Sequence, residues 1–321
     1  MFNFIGLWIV QLFVGISGLL MPNKDLAVKP LKILIISDLN SSYGSTHYTK
    51  EVASVLGKID SIKPDLILCA GDMVAGQKAS ITRDETKAMW QAFDDQVFKK
   101  IQESNIPFGF TIGNHDGSPN FKQDRELATE FWTVRKSATK LNFLDSSHFP
   151  YYYSFEQEGV FIASWDASAS VIKEDVYKWL EEQLRSPEAK KAKMRILLGH
   201  LPLYAIVDSK NKPGEVNSDA DTALLFFKRH KVDMYISGHQ HAYYPAKKDK
   251  IVFLNSGAIG EGERKFIGSN TPAIKAYSVL EIRGKARFSI DTWNPSTNEK
   301  VKLEDLPAFV EGFNGKSYRL D

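Results

Sequence analysis

Five short segments of the chain carry side chains able to hold a metal ion. They are Ser37-Asp38-Leu39-Asn40, Gly71-Asp72, Gly113-Asn114-His115-Asp116, Gly199-His200 and Gly238-His239-Gln240-His241. The chain has 7 histidines, and His115, His200, His239 and His241 all fall in these segments. A lone Gly-His or Gly-Asp pair carries almost no information, but five such segments in succession, each behind an apolar run, carry a good deal. Carboxylate oxygens and imidazole nitrogens suit Mn, Fe or Zn better than a soft metal. Two such cations about 3.5–4 Å apart can share a carboxylate, activate water and clamp a phosphoryl group for in-line displacement. The bland reading is that the same residues cap strands and satisfy loop backbones.

The elements that must position these residues are legible as alternating apolar runs and helical patterns. Residues 33–37, 66–70, 108–112, 195–198 and 234–237 read as strands, each ending at one of the five segments. Glycine before Asp72, Asn114, His200 and His239 allows a tight turn there. Val52, Val55, Leu56, Ile59 and Ile62 recur at helical spacing, with Ser45 or Thr46 as the cap and Pro64 as the stop. Met89, Trp90, Phe93, Val97 and Ile101 line a second helix, and Leu127, Phe131 and Trp132 a third. Helices also fall at 174–184 and 224–227. Strands at 151–155 and 160–164 pair around Gly159, 252–254 is a further strand, and 277–282 with 286–291 form a hairpin around Gly284. A βαβ-like first half and a strand-rich second half argue for one α/β domain, with its site beyond the carboxyl ends of the strands.

Composition narrows the class. The 321 residues contain 43% apolar and 25% charged residues, ordinary for a globular chain. The formal charge is +2 and no Lys or Arg tract occurs, so nucleic acid is not expected as a partner. Cys69 is the sole cysteine, which excludes an intramolecular disulfide and a thiolate cluster, and it reads as a small core residue. Residues 2–21 carry no charge. Residues 1–22 read as a signal peptide or, alternatively, a membrane anchor, and the Gly and Ser content favours export to a periplasmic or extracytoplasmic space. Membrane contact is expected only through 2–21.

Taken in order, the five segments resemble the signature of the calcineurin-like metallophosphoesterases: Asp-x-His, Gly-Asp, Gly-Asn-His-Asp/Glu, Gly-His and Gly-His-x-His. The resemblance covers residues 32–290. It implies a four-layer α-β-β-α sandwich of two mixed β-sheets flanked by helices, with a domain at 32–294 and a C-terminal extension at 295–321. It also implies two divalent or trivalent metal ions (Mn, Fe or Zn). By that resemblance Asp72 bridges the ions, Asp38 and His241 bind the first, and Asn114, His200 and His239 bind the second. His115 contacts the phosphate with Asn114 and protonates the leaving oxygen, while Asp116 orients the His115 imidazole. Asn40 departs from the pattern, since it stands where the family usually has a histidine ligand of the first ion. Either the first site binds its metal loosely, or the Asn40 amide takes a lesser ligand role, or it touches substrate instead. Ala75 departs from the purple acid phosphatase branch, where a tyrosine is expected, so a tyrosinate charge-transfer site is disfavoured.

Weaker candidates surround these. His47 could line the entrance and touch substrate, though a solvated residue near a helix start explains it as well. Tyr204, Tyr243 and Tyr244 border the histidine motifs, and 210–217 is the best stretch for a mobile lid. Two functions follow. One is hydrolysis of a small phosphorylated substrate, whether mono-ester, diester or pyrophosphate. The other is a metal-stabilised binding module of the same fold with weakened turnover, favoured by Asn40 and opposed by the intact His115 and Asp116.

Overall fold

A computed structural model describes residues 29–321 apart from 263 and 271. The expectation of a signal or anchor at 1–22 lies outside the described residues. Among the described residues no helix is long and apolar enough to cross a membrane.

The strands in chain order are β1 (Leu31–Ile36), β2 (Leu66–Cys69), β3 (Phe108–Phe110), β4 (Asn142–His148), β5 (Tyr152–Gln157), β6 (Val160–Ser164) and β7 (Met194–Leu198). They continue with β8 (Met234–Ser237), β9 (Tyr244–Lys248), β10 (Ile251–Asn255), β11 (Tyr277–Gly284), β12 (Arg287–Trp293), β13 (Phe309–Gly312) and β14 (Gly315–Arg319). They build a five-stranded sheet, β12-β11-β1-β2-β3, and a nine-stranded sheet, β13-β14-β9-β10-β8-β7-β6-β5-β4. Both are mixed. β1, β2 and β3 run parallel to one another, as do β6, β7, β8 and β10, while the outer strands are antiparallel. The architecture is the flanked two-sheet sandwich that the sequence predicts.

Side-chain alternation explains the layering. In β1, Ile33 and Ile35 enter the core shared with the larger sheet, whereas Leu34 and Ile36 face the helices outside the smaller one. β2 repeats this, with Leu66 and Leu68 inward and Ile67 and Cys69 outward. Strands buried on both faces read as continuous apolar runs, which is why these were recognisable. Helices Arg83–Phe93 and Lys122–Thr133 cover the outer face with an aromatic cluster, and Trp132 stacks on Phe110 of β3 at 3.9 Å between ring centroids. Helices Glu174–Leu184 and Ala220–Arg229 bury Trp179, Leu180 and Phe227 against the larger sheet. These layers anchor the strand ends that carry the five segments.

Several elements differ from the sequence reading. The first helix begins at Lys50, capped by Thr49 rather than Ser45 or Thr46, because Thr49 Oγ1 accepts the Val52 amide. β4, β9, β13 and β14 carry too many polar residues to announce themselves. Residues 295–321 are not a simple extension: β14 pairs with β9 and, with β13, completes one edge of the larger sheet.

Candidate metal centre

The five segments meet at one rim. Asp38 lies two residues beyond β1, Asp72 three beyond β2, His200 two beyond β7 and His239 two beyond β8; Asn114 opens a short turn, Asn114–Gly117, after β3. Each chain must turn sharply there. Asp38, Asp72, His239 and His241 take the left-handed backbone conformation, with φ of 49°, 56°, 68° and 50°. For non-glycine residues such conformations cost on the order of 1–3 kcal/mol each and persist only where the surroundings impose them. Close approach imposes them here. A Cβ on Gly113 would lie 2.2 Å from Asp72 Oδ1, and one on Gly238 would lie 2.2 Å from Ser37 Oγ.

Two groups of metal-competent side chains result, and they share Asp72. Asp38, Asp72 and His241 form one, and Asp72, His200 and His239 the other; within each, the candidate ligand atoms lie within 4.8 Å of one another. His200 Nε2 is 3.1 Å from Asp72 Oδ2, and His241 Nε2 is 3.2 Å from Asp38 Oδ1. Asn114 Oδ1 joins the second group, 2.9 Å from His200 Nε2 and 2.8 Å from His239 Nδ1. The far nitrogen of each ring is engaged elsewhere. His200 Nδ1 is held by Ala70 O at 2.7 Å, His241 Nδ1 by Gly262 O at 2.9 Å and His239 Nε2 by Glu215 Oε2 at 2.8 Å. A ring nitrogen fixed in this way leaves the other free to ligate, so the donor set fits two hard or borderline cations. The middle residue of the last segment points away, since Gln240 Oε1 accepts the Ile206 and Val207 amides.

The electrostatics follow from burial. Asp38 and Asp72 are essentially inaccessible to solvent. Burial pushes the Asp72 carboxyl up, yet the His200 and His115 rings beside it bring it below the usual carboxylate range. Burial likewise opposes ionisation of Asp38, and His241 reverses the balance. His200 shows the converse: burial disfavours its charge, but Asp72 holds it up at about 9. His239, buried and facing Lys210, is pushed well below the ordinary imidazole value.

His115 and Asp116 do not form the expected pair. The Asp116 carboxylate accepts the amides of Asp72, Met73, Val74 and Gly113 at 2.7 to 2.9 Å. It is a brace tying the second and third segments together, and its oxygens are spent on the backbone. His115 Nδ1 is oriented by Gly76 O at 3.0 Å instead. Its ring, tilted against Tyr43 with centroids 5.2 Å apart, lines a cleft of about 480 Å³ together with Asn114 and His239.

Asn40 is buried beside the first group, and its amide N–H donates to Asp72 O at 3.2 Å. Its side-chain amide has no hydrogen-bond partner among the described residues. His47 does not line the cleft; its ring is exposed, and its backbone is held by Ser41 and Ser45. Tyr204, Tyr243 and Tyr244 are buried packing residues. The stretch 210–217, expected as a lid, supplies side chains to the site itself. Lys210 Nζ is 3.1 Å from His239 Nε2 and 3.3 Å from Glu215 Oε2. Sequence reasoning missed Lys210, Glu215, Arg264 and Gln77. The Gln77 Oε1 accepts from Asn114 Nδ2 at 2.5 Å, which turns the Asn114 oxygen toward the histidines. Gln77 follows the second segment by five residues, and no spacing rule singles it out.

Residues 31–243 match the calcineurin-like phosphoesterase family. The chain belongs to that family. Over 220 residues it is 27% identical to purple acid phosphatase 22 of Arabidopsis thaliana, which covers 68% of this chain and 46% of that one. The fold resembles purple acid phosphatase PPD1 from yellow lupin (Lupinus luteus) seeds, with a TM-score of 0.64, 14% identity and coverage of 85% of this chain and 53% of that one. It also resembles a dimetal phosphatase from Danio rerio, with a TM-score of 0.53, 12% identity and coverage of 82% and 99%. The chain spans about half the length of the curated relatives it matches.

The brace makes a test. In Asp116→Asn one accepting oxygen becomes a donor facing buried amides, and each unsatisfied buried group costs about 1–3 kcal/mol. The variant should lose about 3 kcal/mol or more in urea denaturation and bind less metal. Wild-type stability with only turnover impaired would return Asp116 to the side of His115.

Proposed function

We propose that this chain is a metal-dependent phosphoesterase acting on a small phosphorylated substrate. The observation that carries the reading is the pair of buried donor groups sharing Asp72, the second of which reaches, through His239 and the neighbouring Asn114, a cleft that His115 also lines. Asp38, Asp72 and His241 would hold one cation and Asp72, Asn114, His200 and His239 the other. Bound there, two Mn, Fe or Zn ions would supply Lewis acidity toward the phosphoryl oxygens and a water acidic enough to attack at neutral pH.

The chain's own residues do the rest. His115 Nδ1–H donates to Gly76 O, which leaves Nε2 to serve the cleft, and the doubly protonated ring gives its Nε2 proton to the departing alcohol. Gln77 consumes one N–H of the Asn114 amide, leaving the other for a phosphate oxygen. Buried Ala75 stands where the purple acid phosphatase branch is expected to carry its tyrosine, so iron loading gives no tyrosinate colour. A cleft of about 480 Å³ falls in the range of small-molecule pockets.

Asn40 supports the second reading, a metal-stabilised binding module with little turnover. An amide is a weaker donor than imidazole and leaves the first site less firmly held. Full metal loading without turnover of p-nitrophenyl phosphate or its bis-ester would favour that module.

Two substitutions test the proposal. His115→Ala should lower kcat by about 10²–10⁴-fold while metal content stays at the wild-type level. A parallel fall in metal content would remove His115 from the acid role. Asn40→His should tighten binding at one of the two sites, and an unchanged metal titration would show that Asn40 does not face the ion.

A further inference from the structure

We infer that the substrate carries a second anionic group besides the scissile phosphate, and that Lys212 and Arg264 recognise it. This rests on the phosphoesterase reading above and narrows its substrate class. The cleft wall opposite the segments is built from two loops the family signature does not include, one with Ser209, Lys210, Lys212 and Glu215 and one with Arg264. Of the charged residues that line the cleft among the described residues, outside the ligand histidines, Lys210, Lys212 and Arg264 are cationic, and Glu215 is the one carboxylate.

That carboxylate is already engaged by Lys210 Nζ at 3.3 Å and by the His239 ring at 2.8 Å. Lys212 Nζ stays 3.9 Å from Glu215 Oε1, beyond hydrogen-bond range, and is largely exposed to the cleft mouth. Arg264 Nη1 makes a long contact of 3.5 Å with Ser209 Oγ, and its buried Nε has no hydrogen-bond partner among the described residues. A buried guanidinium N–H left unpaired is costly, and a planar fork of this kind pairs best with a carboxylate or phosphate.

Charge arithmetic separates the two anions. The donor groups around Asp72 are built to bring cations to the scissile phosphate, and His115 serves its leaving oxygen. Lys212 and Arg264 are surplus to a single phosphate. Among the described residues the lining is otherwise polar, with Ala169 and Leu201 its only aliphatic side chains, so a lipid tail or large aryl group gains little there. The fitting substrate is a compact phosphate ester bearing a nearby carboxylate or second phosphate.

The test uses Mn-loaded full-length protein with glycerol phosphate, phosphoglycerate and ethylene glycol bisphosphate. The carboxylate and the second phosphate are thereby separate arms. At least one two-anion ester should exceed glycerol phosphate in kcat/KM by about 10-fold or more, the scale of one charge-assisted contact. Arg264→Gln and Lys212→Ala should bring that ratio down toward unity, and Arg264→Lys should restore part of it. A wild-type ratio near unity, or a ratio that the variants leave unchanged, would overturn the inference. If no ester is hydrolysed, the phosphoesterase reading fails by itself, and calorimetric binding of the same esters decides the second-anion site. Tighter binding of a two-anion ester that Arg264→Gln abolishes would keep it, and equal binding of all three would end it.

Discussion

The structure depends on the burial of two carboxylates, Asp38 and Asp72, among imidazoles at the end of a sheet. Removing an ionised carboxylate from water costs several kcal/mol even after relaxation. The cost is tolerable where positive charge stands close by. Asp72 holds the His200 pKa up at about 9, and the His241 ring brings the Asp38 carboxyl below the usual carboxylate range. Cations are the fuller compensation, because a metal ion converts mutual repulsion between carboxylates into shared ligation. A cluster of this kind makes little sense as core packing and good sense as a metal cage.

Strain and bracing follow from that constraint. Four of the clustered residues adopt left-handed backbone, a conformation that would relax in a free loop. Rigid parallel strands, packed on both faces, deliver the chain to the rim. Asp116 then clamps four amides across two loops, and glycines at positions 113 and 238 let the segments pass within contact distance of the carboxylates. The aromatic layer around Trp132 lies beneath β3 and steadies the turn that carries Asn114 and His115. Stability contributed by the layers thus offsets strain stored at the site.

Much of this was legible in the residues. Strands buried on both faces are continuous apolar runs, and each of the five leads into one of the metal-competent segments, so the sheet centres and the ligand set could be read together. What escaped has physical reasons. β9, an inner strand, begins Tyr244-Pro245 and ends in lysines, which breaks its apolar run, and β13 and β14 expose Phe309 and Tyr318 among charged residues, the pattern of a solvated edge. The role of Asp116 escaped because adjacency to His115 in sequence suggested a partnership, while a tight turn sends the two side chains in different directions. Gln77, Lys210, Glu215 and Arg264 lie on irregular loops, where sequence spacing says nothing about which side chains converge. A charged pair such as Lys210 and Glu215 in a Pro- and Gly-containing stretch reads as a solvated lid until the fold brings it to His239.

The central claim is that Asp72 joins two cation sites. It is tested most directly by metal content per chain, measured by plasma mass spectrometry after loading with Mn or Zn and removal of free metal. The account predicts about two ions per wild-type chain and fewer than about one in Asp72→Ala, with the fold retained by circular dichroism. A wild-type chain that takes up a single ion, or an Asp72→Ala chain that keeps the wild-type content, would contradict it.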